Sequence, residues 1–238
     1  MLAKRETSEP ARAFLSLYGG ASRCALAANR LEWDALVWDK SHAECNDLCL
    51  KKVQRGVAQA LAVLPVGCVG IEMVCSTWGL ARRAPRWSAF PSAVRSNEYL
   101  FGLPGLDDRD AKAVKAGNLQ FYHAVGTIKK CIELGIPGYL ENPRGSRVWF
   151  TPQIRRLVRK RLVVLVRADF CQYGTQWMKP TIFLVWGPNR FSVQLKTCSR
   201  CAGRCSATGK RHLVLSGSKG GSFSRQQHRF IQINWRKV

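Results

Sequence analysis

Short apolar runs alternate with helix-prone segments along most of the chain, a pattern typical of an α/β protein. Residues 13–18 form an apolar run that ends at a pair of glycines, and helix-prone residues 21–30 follow. We expect a strand, a glycine turn and a helix there. A second strand is predicted at 34–38, and it ends directly before Asp39.

The next segment predicts a helix followed by a buried strand. Apolar residues recur at helical spacing through 51–64, and Pro65 ends this helix before the apolar run 66–74. Cys75 then lies at the carboxyl end of the strand. In open α/β sheets the ligand crevice lies outside such ends, so this position favours a catalytic thiol, although cysteine is also common as a small buried hydrophobe.

The same alternation continues to about residue 187. We expect Asp107 or Asp108 to cap a long helix that ends at Gly135, and Thr151-Pro152 to open another. Further strands are predicted at 138–140, 162–166 and 182–186. Together these elements predict a doubly wound, Rossmann-like α/β sheet.

Length and composition fit one main domain. The chain has 238 residues, 46% hydrophobic and 22% charged, enough for a sizeable core. We divide it into an N-terminal tail at 1–12, a domain at 13–187 and a basic, cysteine-rich appendage at 188–238. Since no apolar run approaches the roughly eighteen residues of a membrane span, no membrane partner is expected.

The charge of the chain indicates a polyanionic partner. Lys and Arg number 38 against 15 Asp and Glu, which gives a formal net charge of +23. Nucleic acid is the expected partner, DNA or RNA, with a merely solubilising surface as the alternative. The candidate binding residues lie in a basic, aromatic loop running to about 106 and on the helix after Pro152: Arg82, Arg83, Arg86, Arg155, Arg156 and Arg159.

Ten cysteines in a chain without an apolar leader favour reduced thiols and an intracellular protein, in the nucleus or the cytoplasm. Four residues of the appendage, Cys198, Cys201, Cys205 and His212, stand in ligand order for one structural zinc. Free thiols in a basic loop are the alternative.

An acid follows the glycine turn at a distance typical of nucleotide-binding folds. Asp39 lies twenty residues after Gly19, about where such folds bind ribose hydroxyls. We expect Asp47 to follow a third strand and to bind an adenine edge, with a turn or a helix cap as the alternative.

In this order the segments resemble the cytosine-5 DNA methyltransferases, especially compact phage-like and retroelement-associated members that carry Asn-Pro after an acid. The resemblance covers residues 13 to 187. Cys75 stands where the family has its nucleophile, and the run Glu141-Asn142-Pro143-Arg144-Gly145-Ser146 is similar to the family's Glu-Asn motif. Residues 173–179 look like its later Gly-Val-Pro-Gln segment.

The resemblance implies an S-adenosylmethionine-dependent methyltransferase with assigned residues. The cofactor would lie against Leu17, Tyr18, Gly19, Gly20, Ala21, Asp39 and Asp47. Cys75 would add to cytosine carbon 6, Glu141 would bind ring nitrogen 3, Asn142 would hold the loop or the base, and Lys179 would stand where the family has a supporting Arg.

Two other functions stay open at the level of sequence. Val74 replaces the family's proline, Gly79 a common serine and Thr181 a second arginine, which leaves room for a catalytically degenerate nucleic-acid-binding protein. An amino-group methyltransferase would need no cysteine and normally shows a Pro-Pro-aromatic motif, whereas Arg144 follows Pro143 here.

Overall fold

The computed structural model describes residues 13–20, 22–79 and 92–213, without the side chain of Cys201. The strands within these ranges are β1 Ala13–Leu17, β2 Asp34–Trp38, β3 Val66–Ile71, β4 Gly138–Pro143, β5 Val163–Asp169 and β6 Pro180–Trp186. They form one sheet in the order β2-β1-β3-β4-β6-β5. β6 pairs antiparallel with both neighbours, and the other strand pairs are parallel.

Helices connect the strands and cover the sheet unequally. They are α1 Arg23–Asn29, α2 Lys51–Val63, α3 Asp108–Leu134 and α4 Pro152–Arg159. The apolar faces of α2, α3 and α4 share one core with alternate strand residues such as Leu15, Val69 and Leu140. On the opposite face, Ala25 of α1 and Val193 of the C-terminal segment join a smaller core around Phe14, Tyr139 and Phe183. The predicted α/β fold class is confirmed.

The helix boundaries follow local chemistry that the sequence displays. The Asp107 side chain accepts a hydrogen bond of 2.7 Å from the Asp110 amide and caps α3, and Gly135 ends this helix in the left-handed conformation, φ 71°. Pro152 opens α4, as predicted. The Thr151 hydroxyl bonds back to the Val148 carbonyl at 2.7 Å and does not cap the helix.

Some predicted boundaries were wrong, for reasons of strand pairing. β3 ends at Ile71 and not at Val74, so Cys75 lies in the segment beyond the strand. β4 extends to Pro143 because it pairs with β6, which places Glu141 opposite Phe183 inside the strand. The third strand expected before Asp47 is replaced by a 3-10 turn at Glu44–Asn46.

On the less covered face of the sheet, two packed segments lie to either side of the central strands. α1 packs on β1 and β2, and the segment carrying Val193 and Leu195 packs beside β5. The ends of β3 and β4 and the start of β6 lie between these coverings. No helix in the described part of the chain is long and apolar enough to cross a membrane.

Candidate active site

An ion pair joins the end of β4 to the start of β6. Lys179 Nζ lies 3.1 Å from Glu141 Oε1, and the two side chains are 36% and 13% exposed. In the antiparallel register Glu141 faces Phe183, and the long side chain of Lys179, four residues before Phe183, reaches back along the strand to Glu141. The Lys179 ammonium also lies 4.7 Å from the centroid of the Phe170 ring. The cation is therefore held on two sides.

The Cys75 thiol lies within the electrostatic influence of this ion pair. Partial burial raises the pKa of Cys75, the nearby Lys179 lowers it, and Glu141 raises it. The net direction is upward, so the protein alone holds Cys75 mainly as the thiol at neutral pH. The structure thus pairs the predicted acid with the predicted cation, and both charges influence the predicted nucleophile.

Asn142 ties the end of β4 to the segment that leads to Cys75. Its side chain is completely buried, and its Nδ2 donates a hydrogen bond of 3.1 Å to the Met73 carbonyl. The Asn142 Oδ1 atom is buried as well and has no hydrogen-bond partner among the described residues. Asn142 therefore fixes the segment that leads to Cys75 against the end of β4.

A buried arginine that sequence reasoning missed secures the other side of the Cys75 segment. Arg95 is 1% exposed, and its guanidinium carbon lies 3.6 Å from the Trp78 ring centroid. It donates to the carbonyl and hydroxyl of Thr77, both at 3.1 Å. Burial lowers the pKa of Arg95 to about 10, with a smaller effect of Arg147, so it stays charged at neutral pH.

Trp78 itself belongs to the hydrophobic core. It is 0% exposed and packs edge-on against Phe101, so it is not available to stack on a base. Arg82, Arg83 and Arg86 of the predicted basic, aromatic loop lie outside the described residues.

The predicted cofactor turn is stabilised by the predicted acid. Tyr18 and Gly20 adopt left-handed conformations, φ 60° and 51°, and the Gly20 amide donates to Asp39 Oδ2 at 2.9 Å. Ser41 donates to Asp39 Oδ1 through its amide at 2.7 Å and its hydroxyl at 2.6 Å. Partial burial raises the pKa of Asp39, but the hydrogen bonds from Ser41 and Gly20 outweigh it and lower the pKa.

The remaining predicted cofactor residues lie in different surroundings. Leu17 is fully buried in the main core, and the buried Tyr18 hydroxyl is 2.8 Å from His123 Nδ1 of α3. Asp47 lies in a turn before α2, where its carboxylate accepts a hydrogen bond of 2.8 Å from the Cys49 amide. The turn interpretation of Asp47 holds, and Ala21 is outside the described residues.

A second carboxylate lies next to the glycine turn, and sequence reasoning missed it. Glu72 follows β3, and its Oε1 accepts a hydrogen bond of 2.9 Å from the Tyr139 hydroxyl. Burial raises the pKa of Glu72, partly offset by hydrogen bonds from Cys24 and Tyr139. Its sequence signal was that Glu72 is the one charged residue within the apolar run 66–74.

The side of the sheet that α2, α3 and α4 cover carries a group of exposed arginines and two clefts. Arg155, Arg156 and Arg159 are exposed on α4, as a nucleic-acid-binding face requires. A cavity of about 490 Å³ lies between residues 101–106 and α3, and one of about 360 Å³ lies between α2 and α3. No residue predicted to bind cofactor or substrate lines either cavity.

Three of the four candidate metal ligands form a compact cluster, which a cysteine from outside the appendage joins. The potential ligand atoms of Cys171, Cys198, Cys205 and His212 all lie within 4.8 Å of one another. Cys171 belongs to the 3-10 turn Phe170–Tyr173 after β5 and was not among the predicted ligands. The side chain of Cys201 lies outside what the structure describes.

Comparisons with known proteins give structural similarity only. No family model matches the chain, and no curated protein matches it. The chain is similar to the S. pombe Dnmt2 methyltransferase, with 11% identity, a TM-score of 0.39 and coverage of 74% of this chain and 49% of that one. It is also similar to a triple mutant of Spodoptera frugiperda DNMT2, with 10% identity, a TM-score of 0.41 and coverage of 78% and 55%. The chain spans about half the length of both structures.

Proposed function

We propose that this protein transfers a methyl group from S-adenosylmethionine to carbon 5 of cytosine in DNA through a transient bond to Cys75. The observation that carries the proposal is the Glu141–Lys179 ion pair at one edge of the sheet, whose two charges both influence the Cys75 thiol. Glu141 and Lys179 form an ion pair of 3.1 Å, and both act electrostatically on the Cys75 thiol. A nucleophile, an acid and a cation are the groups that this chemistry needs.

The chemistry starts from the weak nucleophilicity of cytosine carbon 5. The Cys75 thiolate adds to carbon 6, forming a carbon–sulfur bond and shifting the ring electrons toward carbon 5. Glu141 takes up the proton that the Cys75 thiol loses, and as a neutral acid it hydrogen-bonds ring nitrogen 3 and prevents negative charge from building up there. When bound, the cofactor supplies the electrophilic methyl group. After carbon 5 has accepted that methyl group, its proton leaves to solvent water, and the electrons of the broken carbon–hydrogen bond expel Cys75 as the thiolate and restore the aromatic ring.

Lys179 has two tasks in this scheme. In the free protein it neutralises Glu141, and its positive charge favours the Cys75 thiolate. When a base enters, Lys179 stabilises the anionic ring while Glu141 turns to the ring nitrogen. A lysine is suited to both because its single ammonium on a flexible stem can follow a moving charge.

The residues of the glycine turn fit an adenosyl cofactor. A carboxylate offers about four acceptor positions. Within the described ranges, Asp39 Oδ2 accepts one hydrogen bond, from the Gly20 amide, and Asp39 is only partly buried. Acceptor capacity therefore remains for a ribose hydroxyl. The hydrogen bond from the Gly20 amide to the Asp39 carboxylate fixes the position of the glycine turn relative to this acid.

The charge of the protein and the position of the Cys75 thiol support the assignment of the substrate. A formal charge of +23 and the exposed arginines of α4 favour a nucleic-acid backbone. Carbon 6 of a stacked cytosine is not accessible to a thiol at a sheet edge, so the base would have to leave the duplex. We assign DNA rather than RNA on the motif resemblance.

The first test is calorimetric titration of the protein with S-adenosylmethionine, with Asp39→Ala and Asp39→Asn compared. We expect binding by the native chain and loss in Asp39→Ala. Because Asp39→Asn keeps an oxygen for Gly20, it separates loss of the acid from collapse of the turn. Absence of binding by the folded native protein would contradict the proposal.

The second test traps the covalent step on DNA that contains 5-fluorocytosine. The fluorine cannot leave as a proton does, so the Cys75 adduct should persist through denaturing electrophoresis. Cys75→Ser should form no adduct, whereas Cys45→Ser, which changes an exposed free cysteine, should form it normally. An adduct that survives in Cys75→Ser would remove Cys75 from the proposed role.

A second candidate function has one observation in its favour. The pKa of Cys75 is raised and not lowered, which suits a buried structural thiol on a nucleic-acid-binding protein that no longer catalyses methyl transfer. That protein would bind DNA with equal affinity in its native form and as Cys75→Ala, and would give no adduct. Salt-dependent DNA binding together with the trapping result distinguishes the two candidates.

A further inference from the structure

Three thiols and an imidazole converge where the C-terminal segment meets the sheet. The ligand atoms of Cys171, Cys198, Cys205 and His212 lie within 4.8 Å of one another, and His212 Nε2 is 3.8 Å from Cys198 Sγ. Cys171 and Cys205 are buried, and the other two are partly buried. All three cysteines are free thiols, so no disulfide explains their convergence.

Polar groups surround the sulfur atoms as they do in thiolate sites. The Ser206 amide and hydroxyl donate to Cys198 Sγ at 3.5 and 3.6 Å. Gln172 Nε2 lies 3.6 Å from Cys171 Sγ and 3.7 Å from Cys205 Sγ, donating to both. Donors aimed at sulfur favour the charged form, which is the form that binds metal.

We propose that Cys171, Cys198, Cys205 and His212 bind one structural Zn²⁺ ion. Three thiolates and one imidazole are a soft donor set that selects zinc among the common divalent ions. Zinc–sulfur bonds of about 2.3 Å in a tetrahedron place the sulfur atoms roughly 3.8 Å apart, so the cluster needs a contraction of about 1 Å or less. Four protein ligands leave no open position, which makes the site structural and not catalytic.

The four ligands come from two separate parts of the chain, so a bound metal would join these two parts. Cys171 lies directly after β5, and the other three ligands come from the C-terminal segment. Backbone hydrogen bonds already join the two parts, from Asp169 to Lys196 at 3.1 Å and from Leu213 to Gln176 at 3.0 Å. The ion would lock the C-terminal segment onto the loop 169–179.

That loop also carries the cation of the candidate active site. Phe170, next to Cys171 in sequence, lies under Lys179, and its amide donates to the Lys179 carbonyl at 3.3 Å. Arg200 Nε lies 2.8 Å from the Met178 sulfur. A metal at this site would therefore hold both ends of the loop that presents Lys179.

The test is the zinc content of the full chain, purified under reducing conditions without a histidine tag and measured by mass spectrometry. The native chain should hold about one zinc per molecule, and Cys171→Ser should lose it. Cys201→Ser should keep it, as should Cys45→Ser, an exposed cysteine control. Loss of zinc in Cys201→Ser with retention in Cys171→Ser would overturn the ligand set, and a native chain without zinc would overturn the site.

A second measurement keeps the inference testable if Cys171→Ser does not fold. The native chain, stripped of metal and titrated with Co²⁺ alone, should gain the visible absorption of tetrahedral, thiolate-bound cobalt at about one equivalent. Zn²⁺ should then displace the signal. Failure to develop this absorption would refute the site. Neither measurement depends on methyl transfer, so the zinc site and the proposed function can fail separately.

Discussion

Lys179 Nζ lies 3.1 Å from Glu141 Oε1, and the two charges act in opposite directions on the same thiol. Lys179 lowers the pKa of Cys75 and Glu141 raises it, against a background of burial that raises it. Burial therefore has the largest effect on the Cys75 thiolate fraction, and the ion pair modulates it.

We expect Lys179→Ala to raise the pKa of Cys75 further and Glu141→Gln to lower it, because each change removes one of the two opposing charges. Since only the thiolate reacts, alkylation of the Cys75 peptide, followed by mass spectrometry from pH 6 to 10, reports the shift. Cys45→Ser serves as the control and should leave the Cys75 profile unchanged. Parallel shifts in the two charge variants would show that the pair does not govern the thiol.

We expect Glu72→Gln to stabilise the protein at neutral pH and to leave it unchanged in acid. Burial raises the pKa of Glu72 above its ordinary value of 4.5, so the folded state favours the neutral carboxyl. Its contribution is fully favourable below about pH 4.5 and is lost as the pH rises through the folded-state value. The difference in melting temperature between variant and native protein should be near zero at pH 4 and positive at pH 7.

The matched control for Glu72 is Glu44→Gln, a change at an exposed position in the turn before α2. We expect its melting temperature to follow that of the native chain at every pH. A Glu72→Gln difference that is constant with pH would mean that the effect is one of packing and not of ionisation.

We expect Arg95→Ala to destabilise the fold by roughly 3 kcal/mol or more, since buried acceptors lose their donors. Besides Thr77, the guanidinium bonds to the Leu100 carbonyl at 2.9 Å and to Asn118 Oδ1 at 2.7 Å. Urea unfolding followed by circular dichroism measures the loss. Lys112→Ala, at an exposed position of α3, should change stability by less than about 0.5 kcal/mol.

Two glycines give opposite predictions for the same substitution. A Cβ on Gly70 would come within 2.6 Å of the Tyr139 hydroxyl oxygen and 2.7 Å of Phe14 Cζ. We expect Gly70→Ala to cost about 1–3 kcal/mol through overpacking. A Cβ on Gly56 in α2 meets nothing within 4 Å, so Gly56→Ala should stabilise the helix by about 0.5–1 kcal/mol. Urea unfolding of both variants tests the pair, and equal signs would contradict it.

The sequence carries the signals for most of the sheet because they are local. β2 occupies Asp34–Trp38, the predicted range, and α3 is capped by Asp107, one of the two predicted N-caps, and by the predicted Gly135. β4 is longer than predicted because Glu141 and Asn142 are polar, and only their pairing with β6 makes them strand residues. Periodicity within one segment does not show pairing with a distant segment.

The unpredicted parts of the site depend on contacts between distant segments. Cys171 lies far from Cys198 in sequence, and no ligand spacing marks it as a partner. Arg95 resembles any arginine of a basic loop until the core closes around Trp78. Glu72 becomes informative only when Tyr139 of the neighbouring strand donates to it.

Because β6 runs antiparallel to β4, an insertion within β6 can shift the register between the two strands. Lys179 lies just before the first residue of β6 and reaches Glu141 from there. The position of its ammonium therefore depends on the register between β4 and β6, in which Pro143 pairs with Thr181. Neighbouring side chains of a strand point to opposite faces. An insertion of one residue within β6 that shifts this ladder by one step would send Lys179 toward the helices, whereas a shift of two steps would restore its face. A shift of two steps would still move the start of the Lys179 side chain by roughly 7 Å along the strand, so the ion pair with Glu141 depends on both the direction and the size of a register shift.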